Sequence, residues 1–184
     1  MPTLHQDREG QVSNFDLCYP SLIKAEGGYV NNPQDPGGMT NLGVTRRAWE
    51  HWVGHGVAEA DMRALTPLIV SPFYRAMYWN IVHGDELPLG LALCMFHSAV
   101  NSGPQRACIL VQKLVKATPD GAIGPATLQL INQAVAARGE KALIRGFQDS
   151  YRAFYLTLKN FATFGHGWIK RADTVEAQAL GMAK

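Results

Sequence analysis

Apolar residues recur at helical spacing through most of the chain, and Gly, Pro or a capping hydroxyl bounds each run. Phe15, Cys18, Leu22, Ile23 and Glu26 share one helical face. Pro20 falls inside that run and predicts a kink or a restart there, and Gly27 and Gly28 end it. Residues 29–44 are rich in Asn, Pro, Asp and Gly, which predicts a structured loop with a short hairpin. Thr45 is placed to cap a helix through Trp49 and Trp52. A polar stretch around Gly54 and Gly56 follows. Thr66 and Pro67 then open a helix carrying Ile69, Phe73, Met77 and Tyr78.

Leu89 to Val100 is apolar nearly all round, the pattern of a central, buried helix. Residues 101–104 (NSGP) end it and open the next, with Ala107, Leu110, Val111 and Leu114 inward. A Gly/Pro turn over 118–125 leads into a helix through Leu128, Ile131 and Val135. A last long helix is expected over about Glu140 to Asn160, and a shorter one after Gly167. No run of alternating strands stands out, so the fold class is mainly α.

Composition sharpens this picture. The chain has 184 residues, 47% hydrophobic and 17% charged, which is globular and excludes a disordered chain or a coiled coil. Leu87 to Phe96, broken by Pro88 and Gly90, is too short to cross a bilayer, so no membrane insertion is expected. A net charge of +2 argues against a dedicated nucleic-acid binder. Yet residues 1–92 carry 6 Lys and Arg against 10 Asp and Glu, a net of −4, while residues 93–184 carry 11 against 5, a net of +6. An acidic half joined to a basic half suggests chemistry in one and attraction to an anionic partner in the other. Cys18, Cys94 and Cys108 sit among apolar residues as expected free thiols. Met1 to Ser13 is polar with no h-region, so cytoplasmic synthesis without a Sec signal is expected.

The sharpest candidate for chemistry is Glu26. It projects from the apolar face, at a helix C-terminus where the dipole disfavours negative charge. Both effects raise a carboxyl pKa, as a general acid near neutral pH requires. A solvated last-turn residue is the alternative. Asp35 and Thr40 follow, a carboxylate and a hydroxyl able to hold a water for attack on an acetal carbon, or equally two turn-forming side chains. His51 and His55 have the spacing of a metal pair, but Gly54 lies between them and no third ligand is evident; a surface feature is the simpler reading, and no metal or cofactor is expected.

Residues 26–45 read EGGYVNNPQDPGGMTNLGVT, which closely resembles the signature of glycoside hydrolase family 108. These are N-acetylmuramidases found in phage endolysins and bacterial secretion-activator proteins. Residues 84–88 (GDELP) and 96–103 (FHSAVNSG) resemble the family's central helix, and 120–127 (DGAIGPAT) and 163–168 (TFGHGW) its peptidoglycan-binding lobe. The resemblance covers about residues 13–172. His97 departs from it, standing where the family more usually has Asp; Pro20, Met39 and Asn41 are further departures.

The resemblance implies a lysozyme-like helical fold. It divides into a catalytic region over 1–92 and a helical peptidoglycan-binding-like lobe over 93–184, packed together and acting as a monomer. It implies hydrolysis of the β-1,4 bond between N-acetylmuramic acid and N-acetylglucosamine in bacterial peptidoglycan, with inversion. By carry-over, Glu26 is the general acid, and Asp35 and Thr40 place water. Tyr29, Tyr78 and Trp79 would stack on sugar rings and Asn101 would bind an N-acetyl amide; core packing and a helix C-terminal role are the alternatives. A lytic transglycosylase and a non-catalytic wall-binding or secretion-accessory protein are the competing functions. Action in the periplasm or cell wall, after a holin-type or other release, is the corresponding expectation.

Overall fold

A computed structural model describes residues 12–31 and 38–184, and it is mainly helical. Helix α1 (Asn14–Glu26) starts at Ser13, whose hydroxyl accepts from the Asp16 amide. It runs without a break through Pro20, which lies on the exposed side where water can take the freed carbonyl. Strands β1 (Val30–Asn31), β2 (Met39–Asn41) and β3 (Val44–Thr45) form a small antiparallel sheet in the order β1-β2-β3. Thr40 is the hinge of its register, facing Val30 on one side and Thr45 on the other.

Thr45 caps α2 (Arg46–Val53) as its position predicts, accepting from the Ala48 amide at 3.3 Å. The polar stretch that follows hides a short helix, α3 (Glu59–Arg63). Buried Asn41 ties β2 to it by donating to the Met62 carbonyl at 2.8 Å. Helix α4 (Pro67–Tyr74) runs into one π-helical turn over Arg75–Trp79, closed by the Asn80 amide on the Arg75 carbonyl. The extra residue in that turn rotates the face. Val70, Phe73 and Tyr74 are buried before it and Trp79 at its end, whereas Ile69 and Met77 are exposed.

Helix α5 (Leu89–Ser102) is the pillar. Every residue from Gly90 to Ala99 is buried, as the all-round apolar pattern requires. It packs on α1, α6 (Pro104–Leu114), α8 (Glu140–Leu156) and α9 (Phe161–Met182), with α7 (Pro125–Arg138) against α8. Its N-terminal amides find a distant cap: the buried Glu140 carboxylate accepts from Gly90 at 2.7 Å and Leu91 at 3.4 Å.

The expected short helix after Gly167 is instead the longest of the described elements, α9, with 22 residues. Gly165 does not interrupt it, because the missing side chain is what lets the Phe161 ring lie against the backbone; a Cβ there would sit 2.5 Å from the ring.

Candidate active site

Glu26 is the last residue of α1, just before Gly27 turns the chain into the left-handed region at φ 76°. Its side chain is 13% exposed. Three elements surround the carboxyl. The first is the β2–β3 turn, where Leu42 and Gly43 both have positive φ, 49° and 76°. That is the geometry of a two-residue hairpin with right-handed twist. Gly43 packs so closely that a Cβ on it would lie 2.6 Å from Glu26 Oε2 and 2.6 Å from the Tyr74 hydroxyl. The second is α4 with its π turn. Tyr74, buried, donates to the Leu42 carbonyl at 2.7 Å and pins the hairpin in place. The third is α9, whose Arg171 Nη1 stands 3.8 Å from Glu26 Oε1.

Glu26 Oε1 is buried without a hydrogen-bond partner among the described residues. Burial raises the carboxyl pKa above its ordinary 4.5, and the Arg171 charge opposes this in part. The same crowding raises the pKa of Tyr74 and Tyr78, through burial first and the Glu26 charge second. A carboxyl whose pKa burial raises, set beside two phenols with the Arg171 cation at the edge, has the chemistry of a candidate proton donor.

The other expected residues fare differently. Thr40 lies on β2, two residues before the Leu42–Gly43 turn, and its hydroxyl donates to the Gly38 carbonyl at 3.4 Å. Asp35 lies outside the described residues. Tyr78 is half-buried, its ring 5.8 Å from that of Tyr74. Tyr29 is also half-buried, with the Arg63 guanidinium 4.0 Å above its ring, so one face is already occupied.

Trp79 does not serve as a stacking surface. It is fully buried, edge-on to Phe96 at 5.1 Å and to Phe15 at 5.5 Å, with Gly84 pressed against its indole. No ring face is left for a sugar. Asn101 is spent locally: its amide donates to the His97 carbonyl at 2.8 Å and its oxygen accepts from Arg171. It therefore holds the cation that faces Glu26.

Arg171, Tyr74 and Gly43 were not among the expected site residues. Gly43 left a weak signal, since a Gly between Asn41 and the β-branched Val44 marks a tight turn. Arg171 left none, because it lies 145 residues from Glu26 and reaches it only through the packing of α9 on α5. His51 and His55 are exposed, with His55 Nδ1 3.0 Å from the Gly56 carbonyl. Among the described residues no group of three or more His, Cys, Asp or Glu stands together to hold a metal ion.

In the basic half, Arg152 gathers Asp149, Asp173 and Glu176. Asp120 holds its own turn by accepting from the Ala122 amide at 2.9 Å and from buried Gln112 at 2.7 Å. With Glu140 spent on α5, all five carboxylates of residues 93–184 are engaged. Ten of the eleven basic residues there have no carboxylate partner within that half.

Comparison with known proteins bears on this arrangement. Residues 19–103 match the family model described as Glycosyl hydrolase 108, and residues 103–173 match the one described as a predicted peptidoglycan domain. No curated protein matches the chain significantly. Among solved structures, Brucella abortus SagA is similar at 38% identity, covering 92% of this chain and 95% of that one, with a TM-score of 0.81. The chain therefore belongs to the glycosyl hydrolase 108 family and carries a peptidoglycan-binding domain.

Proposed function

We propose that this glycoside hydrolase is an N-acetylmuramidase, cleaving the β-1,4 bond between N-acetylmuramic acid and N-acetylglucosamine with Glu26 as general acid. The observation that carries the reading is the Glu26 carboxyl: buried, without a hydrogen-bond partner on Oε1, and raised in pKa. Glu26 protonates the glycosidic oxygen as the bond breaks. Asp35 and Thr40 hold the attacking water on the opposite face of the ring, giving inversion. Its substrate puts its place of action in the periplasm or the cell wall. Cell lysis or wall opening for protein export would use the same cut.

Digestion of purified peptidoglycan followed by product mass analysis tests this. Hydrated reducing ends are expected, and their rate should fall about a hundredfold or more in Glu26→Gln, the usual worth of a positioned acid. Anhydro-muramic ends would make the protein a lytic transglycosylase instead. Native-rate cleavage by Glu26→Gln would remove the residue from the mechanism.

A further inference from the structure

A cleft of about 390 Å³ opens between α1 and α9, with α5 beneath it. Helical spacing builds its walls. Ser21, Lys24 and Ala25 come from one face of α1; Lys170, Arg171, Thr174 and Gln178 come from one face of α9. Lys24, Lys170 and Arg171 are positive, and no lining residue is acidic. The floor is His97, 3% exposed, and its Nδ1 has no hydrogen-bond partner among the described residues. Burial, helped by the Arg171 charge, lowers the His97 pKa to about 4, so the imidazole is neutral at physiological pH. His97 Nε2 meets Ser21 Oγ at 3.2 Å, and Ser21 donates to Gln178 at 2.5 Å, which fixes a neutral polar floor under a cationic rim.

The cleft adjoins the proton donor. Ala25 precedes Glu26 in the chain, and Arg171 stands both in the cleft wall and 3.8 Å from Glu26. We infer that this cleft is a subsite for the carboxylate-bearing peptide stem of the glycan. The inference rests on the muramidase reading. In a glycan cut at N-acetylmuramic acid, the stem hangs from the lactyl ether of the very ring whose bond breaks. An anionic, amide-rich group then enters within one residue of the acid. The cations meet its carboxylates; the Gln178 amide nitrogen, left over from the Ser21–Gln178 bond, can donate to its carbonyls, and the Thr174 hydroxyl oxygen, whose proton goes to the Lys170 carbonyl, can accept from its amides. The volume is at the lower end of small-ligand sites and suits a di- or tripeptide.

The test compares stem-bearing peptidoglycan with the same glycan stripped of stems by an amidase. Wild type and the double variant Lys24→Gln/Lys170→Gln are each assayed, with unfolding temperatures confirming that both fold. Wild type should prefer the stem-bearing glycan in kcat/KM. The double variant should lose about tenfold of that preference, mainly through KM, as expected for two exposed ionic contacts. An unchanged preference overturns the subsite. Titration of the intact chain with muramyl dipeptide reads the cleft independently of catalysis. Weaker binding by the double variant supports the subsite even where no glycan is cut, which separates its fate from that of the muramidase reading. Equal binding overturns it. Binding of glycerol phosphate in preference to muramyl dipeptide, lost in the double variant, would assign the cleft to a phosphodiester polymer and overturn the stem assignment.

Discussion

Gly43→Ala is the most direct probe of how the fold holds Glu26. Two costs add. The first is conformational: at φ 76° an L-residue costs about 1–2 kcal/mol. The second is steric. The new Cβ would stand 2.6 Å from both Glu26 Oε2 and the Tyr74 hydroxyl. Tyr74 has nowhere to go, since its ring is 1% exposed and its hydroxyl is tied to Leu42 at 2.7 Å. Glu26 must therefore yield, and overpacking of this kind costs about 1–3 kcal/mol more. The sum, roughly 2–5 kcal/mol, corresponds to a fall of about 4–20 °C in unfolding temperature for a chain of this size. Activity should fall further than stability alone explains, because a misplacement of about 1 Å can cost about a hundredfold in rate. Gly54→Ala supplies the control. Its φ is 79°, but nothing lies within 4 Å of its Cβ, so it carries the backbone strain without the clash. Thermal unfolding and release of reducing ends, measured on both variants below their transitions, separate the two terms. If Gly43→Ala matched Gly54→Ala in both stability and turnover, the close approach of the hairpin to Glu26 would be refuted.

Three further outcomes follow from the same geometry. Arg171→Met removes the charge that, among the described residues, lowers the Glu26 pKa, while Tyr74 and Tyr78 remain; with Glu26 as the proposed general acid, the alkaline limb of the pH–rate profile should move to higher pH, and an unmoved limb would detach Arg171 from Glu26. His97, with its pKa lowered from 6.5 to about 4, stabilises the fold above pH 6.5 and loses that contribution as pH falls toward 4. The loss is about 3 kcal/mol, and His97→Gln should flatten it in chemical denaturation run at both pH values. Binding to intact walls should weaken as salt rises, because ten basic residues of the 93–184 half lack a carboxylate partner within it; pull-down at two ionic strengths reads this directly, and salt-independent binding would remove the role of that charge.

What the sequence made legible was local. The spacing of Phe15, Cys18, Leu22 and Glu26 places Glu26 at the end of an amphipathic helix, and Thr45 caps its helix through its own hydroxyl. The all-round apolar run at 89–100 could only be a buried pillar. The misreadings came where one turn changes the phase or where packing overrides a breaker. Tyr78 and Trp79 look alike as sugar platforms, and the π turn decides which is buried. Gly167 looks like the start of a short helix, whereas α9 begins at Phe161 and its ring packs on Gly165.

The charge asymmetry shows most plainly what one dimension hides. Counted along the chain, the basic half suggests a wall-facing surface and nothing more. In three dimensions one of its eleven cations, Arg171, crosses back to the acidic half, where it faces Glu26, is held by Asn101 and lines the cleft beside them. Lys170 next to it joins Lys24 of the acidic half in the same cleft. The two halves therefore do not divide chemistry from attraction. Part of the excess positive charge sits at the site itself, where Arg171 opposes the rise that burial gives the Glu26 pKa and Lys170 lines the cleft beside it.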